Sequence, residues 1–199
     1  MDTPIASRPA AGAASTREQL LGHAQRLIRT RGCNAFSYRD LAELVGVKTS
    51  SIHYHFPSKD DLVFEAIESY SQSVMAQVRA IDPSLPARTR LDRYIQLHMS
   101  AACCGDGLCL GGMLAADLAS LPERVRASLQ CFFRAHESWL AEVLADGARE
   151  GSLRFHGSAE QAGRTVFAAI QGSALAARLF KEPQRLAQCL AMLYAPQPG

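Results

Sequence analysis

The chain has 199 residues, 48% hydrophobic and 20% charged, with a formal net charge of +2. That supplies a sizeable core but no apolar run near the ~20 residues a membrane-spanning helix needs, and the charge is too small for a DNA-coating architectural protein. The opening MDTPIASRPAAGAAST has neither the basic start nor the apolar stretch of a secretory signal, so we expect a cytoplasmic chain with its cysteines reduced.

Residues 1–14 read as a flexible arm. Ser15 or Thr16 then caps a first helix whose apolar face is Leu20, Leu21, Ala24, Leu27 and Ile28, ended by Gly32. Short helices are expected over about Tyr38–Val45 and Thr49–Phe56. A long one follows Pro57-Ser58, where Ser58 and Asp61 have capping-box spacing. After the DPSLP break a helix is expected from about Pro86 to Ala102, and the glycine-rich CGDG stretch interrupts. Three helices should come next, over about Leu108–Ala119, from Leu121-Pro122 to Glu150, and over Ser158–Phe180. A last helix starts at Pro183 and stops before Pro196. With no strand pattern and no internal repeat, the fold class is all-α, with about nine helices.

Charge is distributed unevenly. Residues 1–59 carry +4 and residues 60–199 carry −2, and two of the three lysines, Lys48 and Lys59, fall at the end of the basic segment. A small basic head on a near-neutral body suits a surface that meets phosphate.

Within that head, SYRDLAELVGVKTSSIHYHF (37–56) has the spacing of a DNA-binding helix-turn-helix. Ala42 is small where a second helix must cross, and Gly46 can take a conformation costly for other residues. Leu41, Val45, Val47 and Ile52 supply an apolar wedge between the two helices. The second helix then presents Lys48, Thr49, Ser50, His53 and Tyr54 outward, side chains suited to phosphates and base edges. A purely structural hairpin would not need so polar an exposed helix.

From Phe36 through SYRDLAELVGVKTSSIHYHFPSKDDL the chain closely resembles the N-terminal domain of TetR/AcrR-family transcriptional regulators, most tellingly in HYHFPSK. The resemblance implies a homodimer with three DNA-binding helices at residues 15–60 and a helical effector-sensing and dimerisation domain at 61–199. It implies that Thr49, Ser50, His53 and Tyr54 contact double-stranded DNA, that Lys59 holds a phosphate and that Arg39 lies near the groove. Many relatives have tyrosine where this chain has His53. A dimer of this kind reads a near-palindromic operator, and repression is the family's usual mode.

Downstream, the polar positions Tyr94, His98, Asp117, His136, Trp139 and Gln171 interrupt apolar helices, as in a small-molecule pocket or an ordinary bundle core. Small residues at Gly172, Ser173, Ala174, Ala176 and Ala177 would let a partner approach, so a dimer interface through the last two helices is expected.

Three of the six cysteines crowd into AACCGDGLCLGG (101–112). Metal binding by Cys103, Cys104, Cys109 and His98 is disfavoured, because adjacent cysteines rarely point at one ion. A disulfide between Cys103 and Cys104 would be strained. Packing remains open for all of them, and Cys33, Cys131 and Cys189 read as buried small hydrophobes. Cys109, beside a helix start and among glycines, has a reason to react. The segment from Cys109 to Phe155 also resembles the N-ethylmaleimide-responsive repressors, which implies a cysteine near Cys109 that reacts with electrophiles or oxidants. Some members of that branch place a lysine where this chain has Arg178; the resemblance thus implies an effector-sensing role for Arg178, which can stabilise a thiolate at Cys109 but is poorly suited to a covalent sulfur–nitrogen link. No cofactor or metal is expected. The sequence offers no base and oxyanion constellation for a cysteine-based enzyme. The expectation is a regulator released from DNA by a small organic or electrophilic effector, or by a purely non-covalent hydrophobic ligand.

Overall fold

The computed structural model describes residues 14–103 and 107–194, without the side chains of residues 100–103 and 186. Residues 1–13 of the expected arm, Cys104, the Cys103 side chain and the end of the expected last helix therefore lie outside what is described.

Nine α-helical segments make up the described fold: α1 (Thr16–Arg31), α2 (Tyr38–Val45), α3 (Thr49–His55), α4 (Lys59–Arg79), α5 (Ala87–Cys103), α6 (Leu110–Ala116), α7 (Glu123–Glu150), α8 (Ala159–Phe180) and α9 (Arg185–Gln188). Four of them begin with reciprocal caps. At α1 the Glu18 amide donates to the Ser15 hydroxyl (3.2 Å), while the Ser15 amide donates to the Glu18 carboxylate (2.7 Å). Ser37 with Asp40, Ser58 with Asp61 and Ser158 with Gln161 repeat the arrangement. Each satisfies amides that a helix start leaves without partners.

Two expected helices are shorter than their apolar patterns suggested. The sixth stops at Ala116 because Asp117 leaves helical geometry and turns its carboxylate to the Cys33 amide (2.8 Å); a single 3-10 turn, Leu118–Ser120, follows. The last keeps one α-helical turn and a 3-10 turn at Ala191–Leu193, since the chain there must fold back on the α7–α8 connector. The Arg154 amide donates to the Leu193 carbonyl (2.8 Å), and Leu190 and Leu193 are buried.

The buried apolar residues form two clusters. One joins Leu20, Ile28, Leu41, Ile52, Phe56 and Ile67 to Leu110 and Leu114 of α6 and to Val125 and Leu129 of α7. The other centres on Tyr94, Phe132, Leu140, Val143, Phe167 and Ile170, and Tyr70 packs against both. The N-terminal helices thus close their core with side chains more than forty positions downstream. Each fully buried Ile or Phe contributes roughly 1.5–3 kcal/mol relative to exposure. Between α7 and α8 the approach is close at Gly163, where a Cβ would sit 2.6 Å from the Glu137 carbonyl oxygen.

Candidate nucleic-acid interface and sensing core

The turn between α2 and α3 is built as its sequence demands. Gly46 sits in the left-handed region (φ 75°, ψ 32°) and its amide donates to the Ala42 carbonyl at 2.9 Å. Ala42 and Leu41 are buried, Ile52 is fully buried, and Val45 and Val47 pack against the same cluster. This apolar wedge sets one face of α3 inward and leaves Lys48, Thr49, Ser50, His53 and Tyr54 exposed. Tyr54 is 84% exposed, more than any other large apolar side chain among the described residues.

Neighbouring contacts orient the face. The His53 ring meets Tyr38 edge-on at 4.9 Å, and its Nδ1–H donates to the Pro57 carbonyl (3.2 Å). The Tyr38 hydroxyl lies against the carbonyls of Phe56 (2.9 Å) and Ser58 (2.5 Å). Burial, then the Asp61 and Asp60 charges, push that hydroxyl up to about 12, so it stays a donor. Arg39 is exposed and pairs with Glu43 at 3.3 Å. Lys59 is held from within: its ammonium donates to the Phe36 carbonyl (2.6 Å) and lies 4.4 Å from the Phe36 ring centroid. One of its three N–H groups is thereby engaged.

The second site is inside the other half. Tyr94, His98, His136 and Trp139 come together. The Tyr94 hydroxyl meets His136 Nδ1 at 2.7 Å, its ring stacks on Trp139 at 5.0 Å, and His98 lies 4.4 Å away. His136 also stacks on Phe167 at 4.8 Å. Burial, then the neighbouring His98, lowers His136 to about 3, and burial lowers His98 as well, so both rings are neutral near pH 7. His136 Nε2 is buried with no hydrogen-bond partner, as is Gln171 Nε2.

Cys109 immediately precedes α6 and is partly buried beside this cluster. Together with Tyr70, His98 and Gln171 it lines a small cavity of about 30 Å³. Burial, then the neighbouring Cys109, hold the Tyr70 hydroxyl protonated above its ordinary range. Tyr70 and His98 also line an adjoining cleft of about 290 Å³ between α1, α4 and α5, with Ser69, Ser73 and Gln77 on its wall.

Arg178 does not join this cluster, since its guanidinium donates to the Thr30 carbonyl of α1 at 3.0 Å. Of the cysteines expected to be buried, Cys33 is, Cys189 is partly so, and Cys131 is exposed because it falls on the outer face of α7. Sequence reasoning missed Tyr70 and the contact in which the Leu108 amide donates to the Arg29 carbonyl (3.0 Å). The Tyr70 position looked like any other on the apolar face of α4, and the contact joins backbone atoms far apart in the chain. Among the described residues no helix is long and apolar enough to cross a membrane.

A helix-turn-helix with a polar, exposed second helix, carried on a helical body, is the architecture of a DNA-binding regulator. Residues 20–66 match the family described as bacterial regulatory proteins, tetR family, and residues 88–193 match the tetracyclin repressor-like C-terminal domain. The chain belongs to the TetR family. Over 182 residues it is 24% identical to the HTH-type transcriptional repressor NemR of Escherichia coli (strain K12), covering 88% of this chain and 90% of that protein. With the HTH-type transcriptional repressor KstR2 of Rhodococcus jostii (strain RHA1) it shares 29% identity over 100 residues. That match covers 50% of this chain and 49% of KstR2, so it spans about half the relative's length. A TetR-family transcriptional regulator from Agrobacterium tumefaciens superposes with a TM-score of 0.85 at 29% identity, covering 90% of this chain and 98% of that one. The reduced form of Escherichia coli NemR has the same fold, with a TM-score of 0.76 at 24% identity over 91% and 99% of the two chains.

Proposed function

We propose that this chain is a dimeric, sequence-specific repressor that reads a near-palindromic operator through α3 and leaves it when the sensing half is modified or filled. The single observation that carries the DNA-reading part is the exposed face Lys48, Thr49, Ser50, His53 and Tyr54, set outward by the fully buried Ile52 and the left-handed Gly46. Thr49, Ser50, His53 and Tyr54 contact bases or phosphates, and Lys48 and Arg39 contact the backbone. Lys59 braces Phe36 and offers its remaining N–H groups to a phosphate. The unit reading DNA is residues 15–60, preceded by an arm at 1–14 and followed by a sensing and dimerisation unit at 61–199.

Dimerisation uses the last two helices. Of the large apolar side chains that are exposed among the described residues, Leu175, Leu179 and Phe180 lie on α8, and Met192 lies on the 3-10 turn that follows α9. Ala168, Gly172 and Leu175 form one exposed stripe on α8 at helical spacing.

Cys109 is the proposed point of release. Its thiolate would add across the double bond of an electrophile such as a maleimide; the sulfur–carbon bond forms and the proton ends on the neighbouring carbon. The cavity around it is small, about 30 Å³, so an adduct must displace Tyr70, His98 or Gln171. A specific observation favours a second reading, non-covalent release: the adjoining cleft of about 290 Å³ has room for a small organic ligand.

A gel shift on duplex DNA enriched by the protein from a random-sequence pool, repeated after N-ethylmaleimide, tests both readings. Wild type should shift a discrete set of sequences and lose them on alkylation, while Cys109→Ser keeps them. If Cys109→Ser releases DNA as readily as wild type, Cys109 is not the switch and the cleft becomes the site. Unsaturable, sequence-blind binding would sink the repressor itself.

A further inference from the structure

The last carbonyls of a helix have no partner further along it and must be capped from elsewhere. In α1 the Gly32 amide takes the Ile28 carbonyl at 2.9 Å, and the chain then leaves through φ 92° at Gly32. The next two carbonyls are capped from the sensing half. The Leu108 amide donates to the Arg29 carbonyl at 3.0 Å, and Arg29 Nε donates back to the Leu108 carbonyl at 2.9 Å. Arg178 of α8 donates to the Thr30 carbonyl at 3.0 Å. The contact continues past the helix, where the Cys33 amide donates to Asp117 Oδ2 (2.8 Å) and the Asn34 amide group to the Ser120 hydroxyl (3.2 Å).

Gly107 makes the approach of backbone to backbone feasible. It has φ 89°, and a Cβ there would lie 2.4 Å from the Arg29 carbonyl oxygen. No other residue type fits without separating the loop from α1.

We propose that this clasp couples the sensing half to the DNA-reading head, with Arg178 and Gly107 as positioning residues that fix the head's orientation on the body. The inference rests on the reading that α3 binds DNA. Its two arms come from two different sensing elements, the loop that leads into α6 through Cys109, and α8. A shift of either element, whatever causes it, removes a partner from a carbonyl of α1, the helix on which α2, α3 and α4 pack. Hydrogen bonds weaken steeply with distance and angle, so such a contact switches rather than yields gradually. The clasp also accounts for an arginine at 178 independently of thiol chemistry.

The test uses the full chain and two readouts. Amide hydrogen exchange at Leu108 and Cys33 reports the clasp without DNA, and fluorescence anisotropy on the enriched duplex reports the head. Arg178→Met keeps the aliphatic stem and removes the donor. It should speed exchange at both distant amides and weaken DNA binding roughly tenfold, with an unchanged melting temperature. Gly107→Ala should do the same from the other arm. If it fails to fold, Arg178→Met decides alone. Unchanged exchange at Leu108 in Arg178→Met, or unchanged DNA affinity, would overturn the coupling. A wild type that enriches no duplex overturns the DNA reading, and with it the coupling. That result differs from failure of the clasp alone, in which wild type binds and Arg178→Met binds equally well.

Discussion

The head and the sensing half are both apolar helical packings, yet they place their chemistry on opposite sides of the core. In the head the polar side chains of α3 face outward, over a floor of Ile52, Phe56 and Leu41 that has no polar member. In the sensing half the polar groups are the core: Tyr94 and His136 are fully buried, hydrogen-bonded to each other, and ringed by Trp139, Phe132 and Phe167. Polar groups that face outward can be removed without touching the fold. Polar groups that face inward are tied to stability, and four experiments, taken from the largest expected effect on stability to the smallest, press on that difference.

Gly163→Ala should be the most damaging. Its methyl would meet the Glu137 carbonyl oxygen at 2.6 Å and the Ala141 amide nitrogen at 3.0 Å, backbone atoms that move only if α7 and α8 part. Overpacking of this kind costs about 3 kcal/mol, which for a chain of this size lowers the melting temperature by roughly 10 °C. A calorimetric scan that shows no loss would mean the two helices are not fixed against each other as described.

The buried histidine comes next, and its effect depends on pH. Folded His136 is held down to about 3, whereas in the unfolded chain it titrates near its ordinary value of 6.5. Between those values the unfolded state binds more protons, so stability present above pH 6.5 is lost as the pH falls toward 3. At pH 5 the loss from this one group is about 2 kcal/mol. In a Tyr94→Phe background, where no hydroxyl is left without a partner, His136→Phe should flatten urea-derived stability between pH 7 and pH 5 by that amount. His98 shifts the same way and leaves a residual slope. An unaltered pH profile would show that His136 is solvated in the folded protein.

These two cases also mark how far the amino-acid sequence could be read. The helix-turn-helix was legible because its constraints are local: a small residue at 42, a glycine at 46 and an apolar residue at 52 act within one short segment. Helix starts were legible for the same reason, through Ser58 and Asp61. Tyr94, His98, His136 and Trp139 were visible as polar interruptions, but their mutual contact depends on how α5 meets α7. Arg178 looked like a companion for Cys109 by resemblance, yet it bonds the Thr30 carbonyl. The early end of the sixth helix was equally hidden, because Asp117 leaves it to reach an amide 84 positions back in the chain.

Gly46→Ala carries the comparison back to the head with a smaller cost. The position is left-handed at φ 75°, and a Cβ added there would touch nothing within 4 Å. The penalty is therefore conformational alone, about 1 kcal/mol. The added strain falls on the turn that aims α3, so DNA affinity should drop by more than the stability change explains. Equal losses in both would mean that the turn only supports the fold.

Tyr54→Ala is the sharpest case, because it should do nothing to the fold. With 84% of the residue exposed, its removal forfeits little buried area, and exposed substitutions of this kind stay within about 0.5 kcal/mol. If the outward face reads DNA, the same change should weaken binding to the enriched duplex and alter the preference among sequences, since a base-edge contact is worth about 1–3 kcal/mol. Lys48→Ala is the control that separates the two kinds of contact. Loss of one phosphate partner should weaken all sequences alike and reduce the slope of log affinity against log salt by about 0.9. A Tyr54→Ala protein that keeps both its melting temperature and its sequence preference would remove Tyr54 from the reading face. One that unfolds would show that the head, like the sensing half, spends its polar groups on stability.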